Sequence, residues 1–148
     1  MKKQLMKDLF RESILFLIGG FIYVMIEIIG RGFSHWSMFI VGGLCFIIIG
    51  LLNEYYTWDI EFPLQMLYGC IVITLLEFIS GYIVNIQLHW NVWDYHDRFM
   101  NLYGQICLYN SCLWYLLSAV AIVLDDVIRW KCFHEQKPKY KFFGKIIP

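Results

Sequence analysis

The chain has 148 residues, of which 59% are apolar and only 16% charged, with 12 basic side chains against 12 acidic ones. That length suits one compact domain and not two. The composition is too apolar and too poor in charge for an ordinary soluble domain, so the excess apolar surface is expected to face lipid, and no basic stripe calls for a nucleic-acid partner.

Four apolar segments follow one another along the chain, at about Ile14–Gly30, Trp36–Leu52, Pro63–Ile86 and Gly104–Leu124. Each approaches the roughly 20 residues that cross a hydrocarbon core of about 30 Å. Backbone polar groups inside lipid must be paired within their own segment, so the spacing predicts helices. The fold class is therefore all-α, a polytopic membrane protein built as a four-transmembrane-helix bundle. Lys2, Lys3 and Lys7 before the first segment resemble the basic start of a signal peptide. Glu27 interrupts the apolar run and no small-residue cleavage site follows, so a retained anchor is expected.

Orientation follows from Lys and Arg. The first tail carries Lys2, Lys3, Lys7 and Arg11; the last carries Arg129, Lys131, Lys137, Lys139, Lys141 and Lys145. Ten of the twelve basic residues thus lie in the tails, which places both termini in the cytoplasm. The expected organisation is a basic N-terminal tail over residues 1–12, the helical domain over 13–126, and a basic, aromatic C-terminal tail over 127–148. That last tail either lies on an anionic leaflet or is a solvated segment that enforces topology. The acidic connection Asn53–Phe62 falls on the cytoplasmic side as well, and two short loops face outward.

Cys45, Cys70, Cys107, Cys112 and Cys132 are odd in number and contain no C-x-x-C pair, so they read as small apolar fillers. Neither a metal site nor a cofactor is expected.

The informative residues are polar ones inside apolar segments, because a charged side chain at mid-bilayer costs at least roughly 2.5–3.5 kcal/mol on insertion scales. Glu27 and Arg31 are four residues apart and share a helix face, so they either form an ion pair or snorkel outward together. Glu77 lies well inside the third segment. Cys70, Thr74, Glu77, Gly81 and Asn85 form one small, polar face there, which serves either a wet cavity or helix packing with Glu77 as glue. In the fourth segment Gly104, Ser111 and Ser118 recur every seven residues, and in the second Gly42, Gly43 and Gly50 allow close helix approach. With the orientation above, Glu27, Glu77, His35, Gln105 and Asn110 all fall in the outer half. A polar cavity opening outward, above a more apolar inner half, is expected.

The third loop adds Trp93-Asp94-Tyr95, then Asn101-Leu102-Tyr103-Gly104-Gln105-Ile106-Cys107-Leu108, and Ser111 to Trp114 follow in the last segment. Together with Glu77 and Gly81 this pattern resembles the family of type IV ABC-transporter permeases, also called CmpB-like, which are small bacterial integral-membrane proteins. The likeness is clearest from Glu77 to Trp114. A proline often follows W-D-Y in that family, whereas Arg98 and Phe99 stand in that neighbourhood here. The resemblance implies a transport role and a bacterial inner-membrane location. With no Walker A motif in the chain, it also implies a separate ATPase subunit.

The combined expectation is a permease or transport component of the cytoplasmic membrane. Its substrate- or ion-binding cavity is lined by Glu27, Arg31, Glu77, Asp94, Tyr95, Asn101, Gln105 and Asn110, and it takes a cation, a proton or a small polar solute. Its partners are the lipid bilayer and either further copies of itself or another membrane subunit. Two alternatives stand beside this. One is a structural or regulatory subunit of a membrane complex. The other is an intramembrane enzyme for lipid-linked substrates, with Glu77 as acid or base and Asp94 or His96 assisting.

Overall fold

A computed structural model describes residues 2–56 and 59–147. Met1, Thr57, Trp58 and Pro148 lie outside the described residues, so the middle of the Asn53–Phe62 connection and the extreme ends of both expected tails do too. Four long helices form in chain order: α1 (Lys2–Arg31), α2 (Trp36–Tyr56), α3 (Phe62–Gly81) and α4 (Leu108–Phe133). A π-helical segment, Tyr82–Gln87, extends α3, and a small antiparallel hairpin, β1 (Tyr140–Phe142) and β2 (Lys145–Ile147), closes the chain. All four helices are long and apolar enough to cross a membrane, as the sequence predicts.

The burial pattern is that of a bundle in lipid. Leu17, Phe21 and Met25 of α1 and Ile71, Leu75 and Ile79 of α3 point outward and are well exposed. α2 is the most enclosed helix and packs on all three others. Glycine sets its distance from α1. A side-chain carbon on Gly42 would collide with Tyr23, and one on Gly19 would collide with Phe46 and lie 3.0 Å from the Gly42 carbonyl oxygen. The two backbones therefore touch, which gives dispersion contact where lipid supplies no hydrophobic drive between helices. Gly69 meets Ser118 in the same way across α3 and α4.

Several boundaries differ from the sequence expectation, and three bear on the ends of the bundle. α1 begins at Lys2, so the residues expected to form a tail are helical. A 30-residue helix is about 45 Å long, longer than the hydrocarbon core, and its first turns carry Lys7, Asp8, Arg11 and Glu12. α4 begins at Leu108, not Gly104. Tyr103 (φ 52°) and Gly104 (φ 67°) both take left-handed backbone, and Leu102 N donates to Ile106 O at 3.0 Å, so this stretch is a tight turn. Gly104 thus leaves the face it was expected to share with Ser111 and Ser118. At its other end α4 runs on to Phe133, past the expected stop at Leu124.

The end of the bundle where α1 starts and α4 finishes, here called the terminal end, is not the apolar floor expected. Asp125, Asp126, Arg129, Asn53 and Gln65 are all buried there. Arg129 donates through Nε to Asp125 (2.6 Å) and through both terminal nitrogens to Glu12 (3.0 and 3.2 Å). Asp126 accepts from Asn53 (2.8 Å) and from the Tyr140 hydroxyl (2.9 Å), and Arg11 pairs with Glu135. The C-terminal segment folds back onto this end. Phe62 packs against the rings of Tyr140 and Phe142, and Gly144 N donates to Glu61 Oε1 at 3.0 Å. Burial, and then the Asp126 carboxylate, push the Tyr140 phenol above its ordinary range, so it remains a donor.

Gly42→Leu is expected to destabilise the bundle by about 1–3 kcal/mol, as over-packing does. Unfolding of purified protein in mild detergent checks this. The same change at an exposed glycine with open space around it, Gly30→Leu, should not destabilise the protein.

Candidate functional site

Glu77 is 2% exposed and sits on the buried stripe of α3 with Gly69, Ile73 and Gly81. Its Oε2 accepts from the Trp114 indole nitrogen at 2.8 Å, and its Oε1 accepts from the Tyr95 hydroxyl at 3.3 Å. Asn110, one turn before Trp114, is within hydrogen-bonding reach as well. Tyr23 of α1 stacks on Trp114, with ring centres 5.5 Å apart and planes at 26°. The acid thus ties α3 to α4 directly, to α1 through the Trp114 ring, and to the third loop through Tyr95. Burial, and then the neighbouring Glu77, push the Tyr95 phenol up, which keeps its hydroxyl as the donor of this contact.

Glu27 and Arg31 form the expected i, i+4 ion pair at 2.8 Å. Glu27 also accepts from Ser34 Oγ. Arg31 reaches the third loop, donating to Val92 O at 3.3 Å, and its guanidinium lies over the Phe33 ring. The loop is therefore held at two points, Val92 by α1 and Tyr95 by α3.

The loop is irregular but pinned throughout. Asn85 is turned inward within the π-helical segment. Its Oδ1 accepts from Val92 N (2.6 Å) and its Nδ2 donates to Gln105 Oε1 (2.8 Å). Trp93 is buried, and its indole donates to Gln105 O at 2.9 Å. Asn101 donates to His96 O and Arg98 O, both at 2.9 Å, and accepts from Gly104 N at 3.1 Å. Asp94 accepts from His96 N at 2.9 Å and pairs with the His96 ring. The His96 backbone donor, then its side chain, hold the Asp94 carboxyl below its usual range. A side-chain carbon on Gly104 would strike His96 and Asp94, so this close turn requires glycine on grounds of space and of its left-handed φ.

The residues expected to line one cavity thus divide into groups. Glu77, Tyr95 and Asn110 meet around Trp114, and Glu27 and Arg31 flank them. Gln105 closes the base of the loop with Asn85. Asp94 and Asn101 shape the loop's own turns, and Asp94 is 68% exposed. A polar cavity of about 240 Å³ does lie at this end, lined by Asn85, Trp93, Asp94, His96, Tyr103 and Gln105 among others. It is a cavity of the loop, and Glu77 is packed beneath it rather than lining it. Among the described residues, no three His, Cys, Asp or Glu side chains gather as metal ligands.

Sequence reasoning gave no role to Tyr23 or Ser34, and it missed the buried acids of the terminal end. The i, i+4 spacing of Asp125 and Arg129 was the available signal for the last of these.

Trp114→Phe removes the indole donor to the Glu77 carboxylate while keeping an aromatic ring. It is expected to cost about 1–3 kcal/mol, the range for leaving a buried acceptor unsatisfied. The same change in a Glu77→Leu background should cost clearly less, and a double-mutant cycle on unfolding in detergent measures the difference.

The family model described as "Putative ABC-transporter type IV" matches residues 6–147, nearly the whole chain. No curated protein and no solved structure matches it. The match runs through α1, the third loop and the hairpin alike, and the chain belongs to this family of ABC-transporter-related membrane proteins.

Proposed function

We propose that this protein is a membrane-embedded transport component of a bacterial inner membrane, with both termini in the cytoplasm, and that it admits a cation, a proton or a small polar solute at its loop end. The weighting of Lys and Arg toward the two tails supports the orientation. Family membership supports the transport context, and the absence of a Walker A motif makes a separate ATPase subunit the energy source.

One observation carries the site: Glu77, an acid inside a membrane span, is closed over by a loop that touches it through Tyr95. An ionisable residue at such a depth marks a solute or proton pathway unless a fixed partner accounts for it. The groups hydrogen-bonded to Glu77 are an indole, a phenol and an amide, all neutral, and the nearby Arg31 is taken up by Glu27. Of the two acids only Glu27 has a guanidinium, which leaves room for one positive charge at Glu77. Lifting residues 92–95 breaks the Arg31–Val92 and Tyr95–Glu77 contacts and opens a way to the acid from the loop cavity. Glu77 then binds the cation or takes the proton.

The enzyme alternative fits this arrangement less well. Asp94 and His96 are spent on each other at the exposed surface of the loop, while Glu77 is enclosed.

Down an imposed gradient, which needs no ATPase, vesicles reconstituted with the full chain are expected to pass protons, metal cations or small organic cations. Glu77→Gln should lower that flux at least about tenfold, the factor that corresponds to about 1.4 kcal/mol. Flux absent from both proteins, or equal in both, counts against the proposal.

A further inference from the structure

The two groups that touch the Glu77 carboxylate are chemically unequal. The Trp114 indole is a donor and nothing else, and it meets Oε2 at 2.8 Å. Its ring is buried and stacked on Tyr23, which fixes that N–H in place. Tyr95 is different. Its hydroxyl donates to Oε1 at 3.3 Å, but a phenol oxygen can also accept. Tyr95 also belongs to the loop, the element that lifts when the site opens. Oε2 is therefore held by a donor throughout, and Oε1 is the oxygen that the loop uncovers.

The elements around the acid bring few charges to it. α1 brings Tyr23, Glu27 and Arg31, α2 brings Cys45, and the loop brings Tyr95. α4 brings Trp114 and Asn110, which do not titrate. Glu27 and Arg31 cancel as an ion pair. A negative charge on Glu77 is thus answered by dipoles, and it is the one formal charge of this group without an opposite partner. Metal cations give up water only for several oxygen ligands in its place, at about 2.0–2.6 Å for magnesium and calcium. Here one carboxylate oxygen is already met by an N–H that has no lone pair to offer and repels a cation, and only Tyr95 and Asn110 could add oxygens. An organic cation needs volume, yet Glu77 lines neither the loop cavity nor the apolar crevice beside Tyr23 and Trp114. A proton needs neither ligands nor volume.

We propose that the solute taken by Glu77 is a proton, received at Oε1, and that Tyr95 changes from donor to acceptor when the loop closes over the protonated acid. A hydronium ion from the opened loop cavity gives its proton to Oε1 and leaves as water. The carboxylate becomes a neutral acid, and no electrons change hands. Trp114 keeps its place, because Oε2 is then the carbonyl oxygen of the acid and still accepts. The new O–H on Oε1 donates to the Tyr95 oxygen, whose own hydrogen turns away. Both contacts of the closed site survive, and the buried charge is gone. The identity of the solute rests on the transport proposal; the protonation of Oε1 rests on the geometry of Glu77 alone.

The test uses the full chain in lipid vesicles and has two readouts. Infrared difference spectra between acid and alkaline medium should contain a protonated-carboxyl component that Glu77→Gln removes and that Asp8→Asn, in the first turns of α1, leaves in place. Under an imposed gradient, proton entry followed with an entrapped pH dye should fall at least about tenfold in Glu77→Gln. Potassium, magnesium and tetramethylammonium should show no flux that depends on Glu77. A carboxyl spectrum unchanged by Glu77→Gln overturns the inference. Glu77-dependent flux of any of the three cations overturns it too, and leaves transport through Glu77 standing. A Glu77 band with no flux of any kind sinks the transport proposal and upholds the protonation. Circular dichroism confirms that each variant is folded. Should Glu77→Gln misfold, Trp114→Phe takes its place: loss of the donor on Oε2 should shift the same band, and an unmoved band counts against Glu77 as its source.

Discussion

The loop end of this protein depends on the hydrogen bond from the Trp114 indole to Glu77. Hydrocarbon does not tolerate an unpaired carboxyl, so the acid recruits donors from α4 and from the loop, and each brings a piece of the fold with it. Trp114 brings α4, and Tyr23 stacks behind it to bring α1. Tyr95 brings the loop, whose other attachment, Val92 to Arg31, uses the second acid–base pair. An indole donor is well suited here: it satisfies the acceptor while presenting a broad apolar ring to the neighbouring helices. Its site is set by the α3–α4 approach, where Gly69 lies against Ser118 one turn after Trp114.

The terminal end meets the same constraint with formal charge. Arg129 is 1% exposed, and a guanidinium is suited to that position because its planar donors meet Glu12 with two nitrogens and Asp125 with the third. Gly50 makes the space for it: the Asp125 carboxylate occupies the volume a side chain at that position would take. The hairpin then covers the cluster, with Tyr140 on Asp126 and its aromatic face on Phe62 at the start of α3. Pro63 in the first turn of α3 fits this arrangement, since a proline there gives up an amide that has no helical partner in any case.

The four spans were legible because 20-residue apolar runs have one physical outcome in lipid. The Glu27–Arg31 pair and the inward face through Glu77, Gly81 and Asn85 were legible because helical spacing fixes which residues share a side. What periodicity does not encode went unread. Gln105 looks like the polar start of a span, but two consecutive left-handed residues before it keep the chain in a turn, and its side chain bonds the loop. Asp94 and Asn101 look like ligands on composition, while their partners lie two to five residues away in the same loop. Asp125 and Asp126 look like the end of a hydrophobic run. Asp125 is held by Arg129, whose other partner, Glu12 of α1, is 117 residues distant in the chain, and Asp126 is held by Asn53 and Tyr140, so the partners that make that end of the helix habitable come from other elements.

The two buried clusters differ in a way that bears on which can respond to a solute. At the terminal end the carboxylates of Glu12 and Asp125 are held by a guanidinium, so drawing either into another interaction strands a buried cation and costs several kcal/mol. That ring is suited to staying closed. At the loop end the partners of Glu77 are neutral, and a proton or cation arriving there displaces no counter-charge. The element covering it is a loop, the part of a membrane bundle most able to move without breaking helix hydrogen bonds. The two ends thus differ in kind: an ionic ring at one, and at the other an acid with neutral partners under a pinned loop, which is the contrast the proposed function builds on.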